Sequence, residues 1–331
     1  MSASVAPETV AIVEAAGPHV PPLLERIEER LAQVAGALGA QLAEHAGSTI
    51  AAGGKRLRPL LVLVAAGGVP EDGGEGLVRA GAAVELVHSA TLVHDDVLDR
   101  AALRRGQPTV VAVAGRAAAT ATGDVLFAAA FRELAAAGDP VQVLALSRAG
   151  SALAAGELLQ REDAWNAGVS VERYLHRCEL KTARLFEAAC LLGARQAGGS
   201  DVLARALEGF GRRIGLAFQL LDDVLDVSGP AARTGKHRGT DLLDGTVTLP
   251  FILARERDPG LAVLDLREAV TSPEAAGALC EQIAATGALE LVRERALGLV
   301  QEAKAGLPGA LPSGQRRALD LVADGVVARY A

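Results

Sequence analysis

The pentad Asp-Asp-Val-Leu-Asp occurs twice, at 95–99 and 222–226, and both copies follow segments dominated by Ala, Leu and Val. A segment of that kind buries itself as a helix among helices, so the chain must set two acidic helix ends against an apolar interior. Within each copy the first and last aspartates are i and i+4, one above the other on a helix face. Asp95 with Asp99, and Asp222 with Asp226, therefore aim at common points. Carboxylates this close repel and gain proton affinity unless a cation neutralises them, and a helix C-terminus adds negative dipole charge. Hard oxygen donors suit Mg²⁺, which takes one or two carboxylates together with waters and substrate phosphates. A single copy would read equally as a solvated acidic face; two copies among aliphatics are much harder to place in water.

Half of the 331 residues are hydrophobic but only 3% are aromatic, so the core is built from Ala, Leu and Val. Ala and Leu favour helix. Helices are predicted near 20–47, 55–67, 77–101, 109–137, 141–163, 170–193, 200–228, 245–256, 260–269, 273–284, 286–305 and 313–330, separated by Gly and Pro signals. No segment alternates like a strand for long, and no linker marks a boundary. One all-α domain over 1–331 is expected, with 1–19 a flexible N-terminus. The net charge of −7 argues against nucleic acid as a partner. Cys178, Cys190 and Cys280 are odd in number and lack zinc spacing, so they read as core thiols of a reducing, cytoplasmic protein. The first twenty residues lack a basic start and long apolar run, so no signal peptide is expected. No uninterrupted apolar stretch reaches ~18 residues, so no transmembrane segment is expected.

Cations gather at two short loops. Gly53-Gly54-Lys55-Arg56-Leu57-Arg58-Pro59 sets three of them at a helix start, a ready anion site, and Arg104-Arg105-Gly106-Gln107-Pro108-Thr109 follows the first acidic copy. Either loop alone would pass for a solvated basic turn. Lys181 and Lys236 add further positive charge. Acidic pairs, metal and several basic loops together suggest two phosphate-bearing substrates, one bound through Mg²⁺ and one directly. Such a layout would stabilise a departing diphosphate, so that an allylic ester ionises without a protein nucleophile.

The runs GGKRLRP (53–59), HDDVLDRAALRRGQPT (94–109), LKTARLF (180–186), FQLLDDVLD (218–226) and GKHRGTDLLDGTVTLP (235–250) resemble the trans-isoprenyl diphosphate synthase, or polyprenyl synthetase, family. The resemblance implies an all-α isoprenoid synthase bundle around a deep central cavity, with the two motifs facing each other, and a homodimer. It implies three Mg²⁺ per site: Asp95 and Asp99 would ligate two, and Asp222 the third, supported by Asp223 and Asp226. Lys55, Arg58, His88 and Arg105 match positions for isopentenyl diphosphate. Arg104, Lys181 and Lys236 match those for the allylic diphosphate, while Thr182 and Gln219 match polar groups near the reacting carbons. Taken alone, His88 and His94 would be ordinary core or interface histidines. The activity implied is head-to-tail prenyl transfer, with released diphosphate taking the proton.

A class I terpene cyclase or head-to-head coupling enzyme also uses aspartate-rich motifs, but the basic loops argue against a cyclase, which has no second diphosphate to hold. A non-catalytic subunit of a heteromeric synthase would be expected to have lost an acidic motif. One departure is visible: Thr246 follows Gly245 where the family often has Lys, which weakens the local positive field. Trp165, Tyr174 and Tyr330 carry no readable signal, and core packing is the default for each. Product length should be set below the first motif. Thr91 and Ala90 lie there in place of the aromatic ring carried by synthases that stop short, and Val87 and Val84 continue the same wall. Phe127 and Phe131 are candidates for its floor, or equally core aromatics at i, i+4. A product of at least twenty carbons is expected.

Overall fold

The structure, a computed structural model, describes residues 7–52, 54, 56–229 and 238–328. Packing divides them into two compact units. The first takes residues up to Ser151, Leu185–Gly211 and Gly306–Gly325; the second takes Ala152–Arg184, Arg212–Ala305 and the chain from Val326. Four of the five divisions fall inside helices, and the fifth follows Ala305, where a helix ends.

The first unit opens with α1 (Pro7–Ala16), α2 (Val20–Gly36), α3 (Ala40–Ala51), α4 (Leu57–Ala66) and α5 (Glu75–Asp99). On α2, Val20, Leu23, Ile27, Leu31 and Val34 recur every three or four residues and are all buried, the stripe that seats an amphipathic helix. The expected flexible N-terminus is corrected from residue 7 on, while 1–6 lie outside the described residues. Residues 7–16 are helical, with Ile12 buried near Gly325, because Ile12 gives this short helix an apolar anchor. The predicted helix over 20–47 is also interrupted, since Gly39 takes φ 82° between α2 and α3. Helix α4 is buried almost all round, from Pro59 to Ala65.

A two-stranded hairpin follows α5: β1 (Leu103–Arg104) pairs antiparallel with β2 (Gln107–Pro108). Its turn residues, Arg105 at φ 53° and Gly106 at φ 76°, both lie in the left-handed region, as a type I′ turn requires. The short strands escape period-two reading. Thr109 then caps α6 (Val110–Ala137), which bends at Gly115 (φ 80°). His94 meets Gly123 while Arg79 meets Glu133, so α5 and α6 run antiparallel. A Cβ on Gly193 of α9 (Arg184–Gln196) would lie 2.1 Å from the Val62 carbonyl oxygen, so α9 crosses α4 at backbone contact.

Helix α7 (Pro140–Glu162) and α10 (Asp201–Ser228) each contribute residues to both units. In the second unit α8 (Val171–Cys178) runs into a π turn (Glu179–Ala183), which breaks the helix predicted over 170–193. Residues 245–248, predicted helical, precede the helix that begins at Leu249 and are not helical. The remaining helices are α11 (Thr240–Leu243), α12 (Leu249–Arg257), α13 (Pro259–Ala262), α14 (Leu266–Ala269), α15 (Pro273–Ala285) and α16 (Ala288–Ala305). Buried Phe251, Leu279, Ile283, Val292 and Ala296 knit α12, α15 and α16 together. α17 (Ser313–Ala328) ends the description.

Candidate active site

In the first unit the acidic motif occupies the last turn of α5. Asp95 is half-buried, Asp99 exposed and Asp96 buried. Asp96 has a partner of its own, for Arg104 donates to its Oδ1 from Nε at 2.8 Å and Nη2 at 2.7 Å. The hairpin is thereby pinned to the helix end, and the i, i+4 pair Asp95 and Asp99 is distinguished from the aspartate between them. Sequence matching had given Arg104 only a substrate role.

The two basic loops converge. Arg105 reaches back so that its guanidinium lies 3.1 Å from where a Cβ on Gly54 would stand, and its Nη1 donates to the Ala52 carbonyl at 3.4 Å. Arg58 lies 4.8 Å from the Phe186 ring centroid, and its buried Nε has no hydrogen-bond partner among the described residues. Burial, with the Arg105 charge adding to it and Glu85 opposing it, lowers the Arg58 guanidinium to about 10. Arg56 bonds Glu28 and the buried Glu85, a counter-charge that sequence reading missed. Its one signal is an acid three residues before His88 in an apolar helix. Burial, then the charges of Arg58, Arg105, Arg104 and Arg56, hold His88 well below its usual range. Four cations acting on one imidazole mark a focus of positive potential suited to an anion. Lys55 lies outside the described residues.

Of the residues assigned to product length, Ala90, Val87 and Val84 are fully buried, and Thr91 spends its hydroxyl on the His88 carbonyl at 2.8 Å. Phe131 is half-buried. Phe127 is not placed where a floor is expected. It stacks on His94 with ring centroids 5.8 Å apart, beside the acidic motif and not several turns below it. The antiparallel register of α5 and α6 causes this, since His94 lies where Gly123 has no side chain.

In the second unit Asp222 is exposed, Asp226 half-buried and Asp223 only 2% exposed. The Asp226 carboxylate accepts the N–H groups of Thr240 and Asp241, each at 3.2 Å. Asp223 accepts from the Tyr174 hydroxyl and from Gln219 Nε2, and Gln219 Oε1 in turn accepts from Thr182. Burial, then the charges of Asp241 and Asp222, push the Asp223 carboxyl up to about 8. Lys181 and Thr182 stand on the π turn, a distortion frequent at functional sites. Lys181 Nζ donates to Glu157 at 2.5 Å, and Arg161 to the same carboxylate at 2.9 Å. Although burial alone would raise the Glu157 carboxyl, Lys181 and Arg161 hold it below its ordinary value. Thr246, where a lysine is frequent, has its N–H on the Asp241 carbonyl at 2.7 Å. Lys236 lies outside the described residues.

Among the described residues no three His, Cys, Asp or Glu side chains form a ready-made metal cluster. The donors nonetheless fit Mg²⁺, because each motif offers an i, i+4 carboxylate pair, all hard oxygen, and this ion completes its shell with water and phosphate oxygens.

The family model described as Polyprenyl synthetase matches residues 40–284. The geranylgeranyl diphosphate synthase of Methanosarcina mazei is 37% identical, covering 84% of this chain and 86% of its own. The octaprenyl diphosphate synthase of Escherichia coli is 34% identical, with coverage of 82% and 88%. The crystal structure of a polyprenyl synthase from Caulobacter crescentus, complexed with calcium and isoprenyl diphosphate, superposes with a TM-score of 0.85 at 34% identity, covering 100% of both chains. The two acidic pentads and the basic loops fall inside the matched span. By its sequence and its fold, the chain belongs to the polyprenyl synthetase family.

Proposed function

We propose that this chain is a head-to-tail (1′-4) prenyltransferase that condenses isopentenyl diphosphate with an allylic diphosphate into an all-trans polyprenyl diphosphate of twenty carbons or more. The convergence of Arg58, Arg104, Arg105 and Arg56 on His88 carries the reading, because a basic site beside the first acidic motif suits a second diphosphate. A cyclase would have no use for it, and a non-catalytic subunit would have no need of two intact acidic pentads. Three Mg²⁺ are assigned to Asp95, Asp99 and Asp222, with Asp223 and Asp226 in support. When bound they supply neutralisation of charge on the leaving diphosphate.

Lys181, Lys236 and Arg104 would hold the allylic diphosphate; Lys55, Arg58, His88 and Arg105 would hold isopentenyl diphosphate. The allylic C–O bond breaks and its electron pair leaves with diphosphate. The isopentenyl double bond then attacks the allylic carbon, forming the new C–C bond, and a proton passes to the released diphosphate. Thr182 and Gln219 line the reacting carbons. We assign a second copy of the chain to α6, an apolar helix only 28% buried along its most apolar stretch, with Val113 65% exposed. The three cysteines are buried and unpaired, which suits a cytoplasmic location.

Arg105→Ala tests the division of the basic residues. Losing a charge-assisted contact to phosphate costs about 1.5–3 kcal/mol, so the KM for isopentenyl diphosphate should rise roughly tenfold or more. A change confined to the allylic substrate would reverse the assignment.

A further inference from the structure

The buried polar chain of the second unit has a member outside the matched site residues. Tyr174 is 1% exposed, and its hydroxyl donates to Asp223 Oδ2. One turn on stands the buried thiol of Cys178. The other Asp223 oxygen accepts from Gln219 Nε2 at 2.8 Å, and Gln219 Oε1 accepts from Thr182 Oγ1 at 2.7 Å. Tyr174, Cys178 and Thr182 are spaced i, i+4, i+8 along α8 and the π turn, facing the i, i+4 pair Gln219 and Asp223 on α10. Arg177 holds the ring from above, its guanidinium 5.3 Å from the ring centroid and itself bonded to Asp163 and the Val247 carbonyl.

On α10, Asp222 and Asp226 share a face, and Asp223 points about 100° away from Asp222. We propose that Tyr174 is a positioning residue for the second acidic motif: its hydroxyl, with Gln219, pins Asp223 inward, so that Asp222 presents its carboxylate to metal from a fixed helix end. The same hydroxyl fixes Thr182 and Gln219, because with Asp223 held, the Gln219 amide has one orientation that satisfies both neighbours. This role rests on the reading of Asp222 as a metal ligand. Sequence gave Tyr174 only core packing, since nothing local marks an aromatic hydroxyl as the partner of an acid 49 positions away.

The test is Tyr174→Phe in the full chain, with Mn²⁺ binding followed by electron paramagnetic resonance in the presence of inorganic diphosphate. Wild type must bind Mn²⁺ first; if it does not, the metal reading fails before Tyr174 is tested. In the variant, Mn²⁺ affinity and kcat should each fall roughly tenfold, the cost of leaving one buried hydrogen-bond partner unsatisfied. The KM for isopentenyl diphosphate should stay within about twofold, because a residue acting through Asp223 leaves Arg58 and Arg105 untouched. Unchanged Mn²⁺ affinity and kcat in a folded variant would overturn the proposal, even if its melting temperature dropped. Should Tyr174→Phe fail to fold, the chain has only two tyrosines. Wild type labelled with 3-fluorotyrosine, assigned with Tyr330→Phe, should then show the Tyr174 fluorine signal moving when Mg²⁺ and diphosphate bind. A stationary signal despite Mn²⁺ binding would also overturn it.

Discussion

Asp222 and Asp223 are neighbours in sequence with opposite surroundings, one exposed and one buried against Tyr174 and Gln219. The repeated pentad was legible from i, i+4 spacing alone, but which aspartate turns inward depends on partners contributed by other helices. The same holds for Asp96, whose arginine lies eight residues on in a hairpin too short to read. Asp95→Ala or Asp222→Ala should lower condensation roughly 100-fold to 1,000-fold or more while the thermal melt stays near that of wild type, since each relieves like-charge repulsion. Near-normal turnover in either would sink the metal assignment. His88 supplies a pH signature. Its folded pKa lies well below the ordinary 6.5, so the unfolded chain binds the extra proton first. Its contribution to stability is whole above about pH 6.5 and is lost as pH falls below that value toward the folded one. The melting temperature should therefore fall from about pH 7 to pH 5.5, and less steeply in His88→Gln. Equal slopes in the two proteins would contradict the lowered pKa.

At the scale of elements, periodicity located the long helices because their apolar faces are continuous. It failed where one residue's backbone decides: Gly39 parts α2 from α3, Arg105 and Gly106 turn the hairpin, and the π turn inserts within an unbroken helical pattern. The π turn also needs Gly156, where a Cβ would lie 2.7 Å from the Lys181 nitrogen. Phe127 was misplaced for a related reason, since the register between α5 and α6 follows His94 packing on Gly123. Ala90 is fully buried on α5, as are Val87 and Val84. Ala90→Phe should shorten the product by one or more isoprene units, because a close-packed wall yields a ring's volume only by losing space or straining by about 1–3 kcal/mol. Chromatography of the dephosphorylated products reads the outcome, and an unaltered length distribution would remove Ala90 from the product wall.

At the scale of the molecule, two helices among the described residues are long and apolar enough to cross a membrane by length and composition, although the sequence showed no uninterrupted apolar run. The apolar stretch of α5 is 78% buried within the protein, as befits a core helix, whereas that of α6 is 28% buried. The proposed contact with a second copy would cover that exposed stretch. Light scattering should give twice the chain mass, and Val113→Glu, which sets a charge on the exposed stretch, should shift it toward monomer; a wild-type monomer would contradict the α6 assignment. Family membership was readable because five motifs recur together, yet the exact product length beyond twenty carbons was not, for it depends on how helices meet below the first motif. On the proposed reading one diphosphate ester binds at the arginine cluster and another through the acidic motifs, and their carbon chains are joined as the allylic diphosphate leaves. Incubation of the pure chain with Mg²⁺, radiolabelled isopentenyl diphosphate and the fifteen-carbon farnesyl diphosphate measures this directly. Label should enter an all-trans prenyl diphosphate longer than the starter; label left wholly in isopentenyl diphosphate while the allylic substrate is consumed would contradict it.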